Sequence, residues 1–336
     1  MAIDGRILAR AKAALEERRK LREDNHIHRK QKVYAKTPRI RELDAELRAT
    51  MAELIGFALG MDAAGRVEEI REKNLNLQDE RRSLLVRAGF SADYLDDNYM
   101  CNRCRDTGYH DTKMCVCLME LYKEEQRESL SSLLKLGDET FDNFDLTLYD
   151  DTPASDTGIS PRQSMEIVYE ICIEYARKFG SKSMNLFFNG APGLGKTFLS
   201  ACIARVVADK GFSVVYDMAT SIFSKFEDVK FMRSSDSEEL RAEVRKSRED
   251  IKRYLECDLL IIDDLGTEMT TSFTISALYE VVNTRLITDK KTIINSNLTI
   301  SELNRRYSEQ TMSRLEGMYQ VLTFYGDDIR KKKNVV

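Results

Sequence analysis

One stretch limits this chain more than any other: Gly190-Ala191-Pro192-Gly193-Leu194-Gly195-Lys196-Thr197-Phe198. It lies between Asn185–Asn189 (NLFFN), which reads as a short buried strand, and a run from Thr197 to Lys210 with the apolar spacing of a helix. The glycines therefore fall at a strand-to-helix turn, where they let the backbone wrap a phosphate with its N–H groups pointing inward. The helix N-terminus adds partial positive charge. In such a loop Lys196 reaches the β- and γ-phosphates and the Thr197 hydroxyl ligates Mg²⁺. Residues 190–198 are expected to bind a nucleoside triphosphate.

A hydrolytic site also needs a carboxylate near the metal. Asp258-Leu-Leu-Ile-Ile-Asp263-Asp264 supplies a strand apolar enough to be buried on both faces, ending in two acids. It looks like a Walker B strand. Asp263 is expected to hold Mg²⁺ through water, and Asp264 to polarise the attacking water. Many such ATPases carry the longer Glu at the second position.

The 336 residues have room for two or three domains, and 42% hydrophobic content supports a sizeable core. No run of 18 apolar residues appears and MAIDGRILARAK has no signal-peptide pattern, so no membrane association and a cytoplasmic location are expected. Seven cysteines then read as thiols rather than as a disulfide scaffold. Four of them, Cys101, Cys104, Cys115 and Cys117, form a C-x2-C pair and a C-x-C return on two arms of a short hairpin, a set suited to tetrahedral Zn²⁺ in a structural role. His110, between the arms, is an alternative fourth ligand. Cys172, Cys202 and Cys257 sit in apolar contexts and read as core.

Upstream, residues 38–59 place Ile40, Leu43, Leu47, Met51, Leu54 and Ala58 on one helical stripe, and residues 64–88 repeat the pattern with Val67, Ile70, Leu77, Leu84 and Leu85. Gly56 to Gly65 holds the turn of an antiparallel hairpin. Residues 1–90 carry 20 Lys and Arg against 15 Asp and Glu, whereas the remainder carries 32 against 41, so the two parts have distinct surfaces. A helical docking module over 1–90, a zinc module over 91–137, a polar linker over 138–160 and a nucleotide domain over 161–336 follow. Within the acidic linker, Phe141 and Phe144 are placed to pack across the nucleotide pocket.

From residue 160 the expected order is helix 163–178, strand 185–189, phosphate loop, helix, strand 213–217, helical stretch 219–254, strand 259–263, helix 272–288, strand 291–296 and helix 301–314. Alternation of this kind builds a parallel sheet flanked by helices. Asn297, at the end of the fourth strand, is expected between the acid-bearing strand ends, orienting the attacking water.

Taken together, CNRCRDTGY, MCVC, NGAPGLGKT, DLLIIDDLGTE, TIINSNL, MSRLEG and FYGDDIRKKK resemble the DnaC/DnaI family of bacterial replicative helicase loaders, which are AAA+ ATPases. The IstB-like helper ATPases of transposition share the core, while the cysteine knuckle and the helical N-terminal part favour the loader. The resemblance covers about 160–336 and the cysteine motif. It implies ATP as the nucleotide, Asn297 as the sensor 1 residue, Arg314 as an arginine finger acting on a neighbouring subunit's γ-phosphate, and Arg330 as the sensor 2 arginine acting in cis. Arg306 is a second candidate for the trans position. An Arg supplied in trans stabilises charge on the transferred phosphoryl group and ties hydrolysis to assembly. Because so little follows Arg330, no helical lid after the core is expected.

The resemblance further implies self-association into an AAA+ oligomer, a hexameric replicative DNA helicase as partner and single-stranded DNA as ligand. For the DNA, the segment Ser221–Glu256 offers Lys225, Lys230, Arg233, Arg241, Arg245, Lys246, Arg248, Lys252 and Arg253, with Phe223, Phe226 and Phe231 as stacking platforms. A solvated, charge-balanced helix is the alternative for this segment. A transposition helper and a nucleotide-gated adaptor without turnover are the alternative functions.

Overall fold

The computed structural model describes residues 2–58, 64–134, 139–153, 158–231 and 238–333. The chain divides into two compact units, one formed by Lys12–Leu118 and the other by Met1–Ala11 with Met119–Val336.

The larger unit is built on a five-stranded sheet of β3 (Asn185–Asn189), β4 (Val214–Met218), β5 (Leu259–Leu265), β6 (Lys291–Ser296) and β7 (Tyr319–Thr323) in the order β4-β5-β6-β3-β7, with every pairing parallel. Such a sheet needs cover on both faces. On one face α5 (Pro161–Lys178) and α6 (Lys196–Asp209) bury Met165, Cys172, Leu199 and Ile203 against Leu186, Phe188, Ile261 and Ile293. On the other, α7 (Ala219–Phe231), α8 (Glu238–Glu256), α9 (Ser272–Ile287), α10 (Ile300–Arg306) and α11 (Glu309–Met318) pack on Phe187, Leu260, Ile262 and Ile294. Helix starts follow local chemistry. Ser160 with Gln163, Thr271 with Thr274 and Thr299 with Glu302 close reciprocal caps that satisfy the first N–H groups.

Two features depart from the expected order. The single helix expected over 301–314 is two, because Tyr307 is extended (φ −111°, ψ 168°) and the Ser308 side chain accepts from the Thr311 N–H to start a new one. Strand β7, which the sequence reading passed over, closes the sheet beyond β3. The expected helical stretch 219–254 is described as α7 and α8; Arg233 lies outside the described residues.

A buried cation fixes the base of α8. Arg285, with no exposed surface, donates from Nη1 to the Tyr254 and Cys257 carbonyls (2.6 and 3.1 Å), from Nη2 to the Lys291 carbonyl (2.6 Å) and from Nε to Thr292 Oγ1 (2.9 Å). Two of these acceptors belong to the C-terminal end of α8, whose dipole favours positive charge. The N-terminal segment holds the same end: Asp4 accepts from Arg253 Nε at 2.6 Å, and Arg6 donates to Asp250 at 2.8 Å.

The smaller unit contains most of α1 (Gly5–Lys36), then α2 (Pro38–Ala58) and α3 (Ala64–Arg87). The last two run antiparallel, tied by Asp44–Arg81 (2.7 Å) and by a hydrogen bond from Asn74 to Thr50 (2.8 Å), with Gln78 bracing Asn74 from within α3. Ile40, Leu43, Ile70, Leu77 and Leu85 of the expected stripes are buried, but Met51 and Val67 are exposed. The turn expected over Gly56–Gly65 falls largely outside the described residues.

Candidate nucleotide and metal sites

Strand β3 runs into the glycine loop, and α6 begins at Lys196. Gly190, Gly193 and Gly195 take φ of 143°, 79° and 90°, values that side chains rarely adopt. A Cβ at Gly190 would meet the Phe324 carbonyl at 2.5 Å, and one at Gly195 would meet the Tyr149 hydroxyl at 2.9 Å. Tyr149 is buried and donates to the Leu194 carbonyl at 2.8 Å, so residues 139–149 form a wall on the loop. Phe144 lies there with its ring 5.6 Å from Phe198 and 5.4 Å from Tyr169. A cleft of about 350 Å³ is lined by Glu139, Pro192, Gly193, Leu194, Gly195, Lys196, Thr197, Phe198, Asp264, Asn297, Ile329 and Arg330. Gly190 and Ala191 flank it, their carbonyls accepting from Lys196 Nζ at 2.6 and 2.8 Å. Burial lowers the Lys196 pKa to about 8 against the raising influence of Asp264 and Asp263.

Strand β6 stands between β3 and β5, so its polar end separates the loop from the acids. Asp263 is buried, and its carboxylate accepts from Thr197 Oγ1 (3.1 Å), the Tyr216 hydroxyl (2.6 Å) and Asn295 Nδ2 (2.9 Å). A hydroxyl and a carboxylate this close suit an oxygen-preferring cation such as Mg²⁺. Asp264 has φ 54° and falls where the β5–β6 register shifts between Ile262 and Leu265. In a regular strand, neighbours point to opposite faces; the bulge and the left-handed residue instead let consecutive acids serve one site. Burial, and then Asp263, push the Asp264 pKa up, while the hydrogen bond from Asn297 (3.2 Å), Lys196 and Arg330 pull it down.

The remaining arginines are placed differently. Arg330 is exposed at the cleft. Arg314 does not line it; the guanidinium bonds Asn283 Oδ1, the Gln310 carbonyl and the Tyr279 hydroxyl, and lies 4.8 Å from the Tyr279 ring centroid. Arg306 donates to the Gly266 carbonyl at 2.6 Å, just beyond β5. Tyr216, Asn295 and Tyr149 were missed by the sequence reading. Asn295 alone carries a local signal, an amide within the apolar strand TIINS.

In the smaller unit the four cysteine sulfurs lie within 4.8 Å of one another, with Cys101–Cys115 at 3.7 Å and Cys104–Cys117 at 3.4 Å. Tetrahedral zinc at about 2.3 Å from each sulfur sets sulfurs roughly 3.8 Å apart, so the set fits the ion. The Cys104 N–H draws the Cys101 thiol down to about 7, while burial and the neighbouring thiols push Cys117 up. His110 is exposed and pairs with Asp111, outside the sulfur cluster. Strands β1 (Tyr109–His110) and β2 (Lys113–Met114) join the arms. Buried Asp106 secures the first arm by accepting the Cys101 N–H at 2.8 Å and Arg22 Nη1 at 3.0 Å.

In the segment Ser221–Glu256 the expected stacking platforms are corrected. Phe223 and Phe226 are buried in the core of the larger unit, because α7 turns its apolar face to the sheet. Phe231 is 66% exposed, beside Phe273, with Lys230 Nζ 5.6 and 4.7 Å from the two ring centroids. Arg253 is committed to Asp4 and Asp250.

Residues 173–335 match the family described as IstB-like ATP binding protein. The replicative helicase loader DnaC of Escherichia coli strain K12 is 26% identical over 142 residues, covering 42% of this chain and 54% of that protein. A putative insertion sequence ATP-binding protein, y4iQ/y4nD/y4sD of Sinorhizobium fredii, is 27% identical over 134 residues, 40% of each chain. A crystal structure of the DnaC helicase loader covers 55% of this chain and 98% of that one, with 19% identity and a TM-score of 0.41. The chain spans about half the length of the curated DnaC relatives it matches. No described helix is long and apolar enough to cross a membrane.

Proposed function

We propose that this chain is an AAA+ ATPase of the IstB/DnaC type, a reading supported by the match of residues 173–335 to the IstB-like ATP binding protein family and by the DnaC relatives, and that it hydrolyses ATP while loading a hexameric replicative DNA helicase onto single-stranded DNA. The observation that carries the ATPase reading is the bulged end of β5, which brings Asp263 to the Thr197 hydroxyl and Asp264 to the same cleft as Lys196.

The chemistry is in-line attack of water on the γ-phosphate. Lys196 leaves the loop carbonyls to meet the phosphates. Asp264, a carboxylate whose pKa burial raises, takes hydrogen bonding or a proton from the attacking water, and Asn297 orients it. Thr197, and Asp263 through water, would hold Mg²⁺, which when bound would supply electrostatic stabilisation of the phosphate oxygens. Arg330 contacts the nucleotide of its own subunit, and Arg314 that of a neighbour, so hydrolysis belongs to an oligomer.

The loader purpose rests on the DnaC relatives; the cysteine knuckle and helical hairpin lie outside the family match, and in this reading residues 1–90 dock the helicase while the knuckle holds structural zinc. Phe231, Phe273 and Lys230 offer a local contact for single-stranded DNA. The insertion-sequence relative supports a second reading, delivery of a transposase. Affinity purification of the tagged protein with ATP or a non-hydrolysable analogue, followed by mass spectrometry, separates them. Retention of the helicase through residues 1–90 supports loading. Retention of a transposase without helicase overturns it.

A further inference from the structure

Tyr216 and Asp217 are neighbours on β4, so their side chains leave opposite faces of the strand. Each ends in a tyrosine–carboxylate hydrogen bond of 2.6 Å: the Tyr216 hydroxyl donates to Asp263 Oδ2, and the Tyr254 hydroxyl of α8 donates to Asp217 Oδ2. Tyr216 and Tyr254 are 4% and 2% exposed. They differ in what the carboxylate does. Asp217, next to the last residue of β4, accepts besides from the Met218 N–H, whereas Asp263 also accepts from the Thr197 hydroxyl and the Asn295 amide.

A phenylalanine would fill the space of Tyr216, and a buried hydroxyl carries a desolvation cost that only its hydrogen bonds offset. The hydroxyl is therefore informative. Its partners are Asp263 and, at 3.3 Å, Ser200 Oγ, which also accepts from Asn295. We propose that Tyr216 is a positioning residue for the divalent cation that accompanies the nucleotide. Its hydroxyl fixes the rotation of the Asp263 carboxylate beside the Thr197 hydroxyl, so the cation meets a pre-set pair of oxygen donors. Asn295 holds the other carboxylate oxygen. Groups that orient a metal-holding residue in this way typically change metal affinity 10- to 100-fold when removed. The assignment rests on the nucleotide site proposed above and adds a role for a residue outside the phosphate loop and the acid-bearing strand.

The test separates nucleotide from cation. Binding of a fluorescent ATP analogue is measured for the wild type, Tyr216→Phe and Tyr254→Phe, first in EDTA and then across a Mg²⁺ titration. Tyr216→Phe is expected to match the wild type in EDTA and to need about 10- to 100-fold more Mg²⁺ for half of the magnesium-dependent gain. Tyr254→Phe, which loses an equally buried hydroxyl on the opposite face, is expected to leave the titration unchanged. A Tyr216→Phe curve superimposed on the wild type overturns the assignment, as does an equal shift in Tyr254→Phe. Failure of the wild type to bind the analogue under either condition overturns the nucleotide-site reading itself and this assignment with it.

Discussion

Lys196 and Asp264 are the two residues whose surroundings do most to prepare chemistry. Burial holds the Lys196 pKa near 8, below the ordinary lysine value of 10.5. Between those values the unfolded chain binds the proton and the native chain does not, so this residue makes stability rise with pH across that window, and its cost is fully present below about 8. Phosphates favour the charged form, so nucleotide binding above pH 8 should take up a proton and weaken as pH climbs. Calorimetry at pH 8.5 in buffers of differing ionisation enthalpy checks this; a heat independent of buffer would refute it. Lys196→Ala should abolish nucleotide binding. Asp264→Asn should preserve binding and lower hydrolysis at least 100-fold, on the order of the loss when a proton acceptor is removed, and single-turnover kinetics reads that directly. The left-handed backbone at Asp264 adds a further mark, since a non-glycine residue held there costs about 1–3 kcal/mol that surrounding structure must offset.

At the scale of elements, what was legible in the sequence was local. The glycine loop, the acid-ending strand and the cysteine spacing each encode their geometry within a few residues, and each emerges as an assembled feature. Strand β7 was not legible: YQVLT is short, directly follows a helix and alternates only weakly, and its place beside β3 is decided by long-range pairing. Tyr149 and Tyr216 were equally hidden, because their partners stand 45 and 47 residues away. Phe223 and Phe226 misled because aromatics among basic residues look alike whether they face DNA or a core. The cysteine knuckle makes its own prediction. With metal-dependent folding free energies of roughly 10–16 kcal/mol in small zinc modules, a strong zinc chelator should release about one Zn²⁺ per chain and expose four thiols to a colorimetric reagent. The same treatment should leave nucleotide binding by the larger unit intact when Mg²⁺ is resupplied. Retention of unreactive thiols after chelation would argue against metal in this cluster.

At the scale of the whole molecule, Arg314 is braced by Tyr279 and Asn283 away from its own cleft, and hydrolysis should therefore depend on assembly. Lys196→Ala lacks nucleotide but keeps the arginine; Arg314→Ala keeps nucleotide but lacks the arginine. Each alone should be inactive, and mixing them should restore part of the ATPase rate, whereas no recovery on mixing would count against action in trans. One more property follows from the way α8 is held. Its C-terminal end is riveted by Arg285 of α9 to β6 and strapped by Asp4 and Arg6, while Glu238 and Glu239 at the other end are exposed. The helix is thus held along its inward face from Val244 to Tyr254, where Ser247 donates to Asp228 of α7 at 2.8 Å, and only its first turns extend past that contact. A shift of α8 would therefore be felt on β4 through the Tyr254–Asp217 bond, one residue from Tyr216.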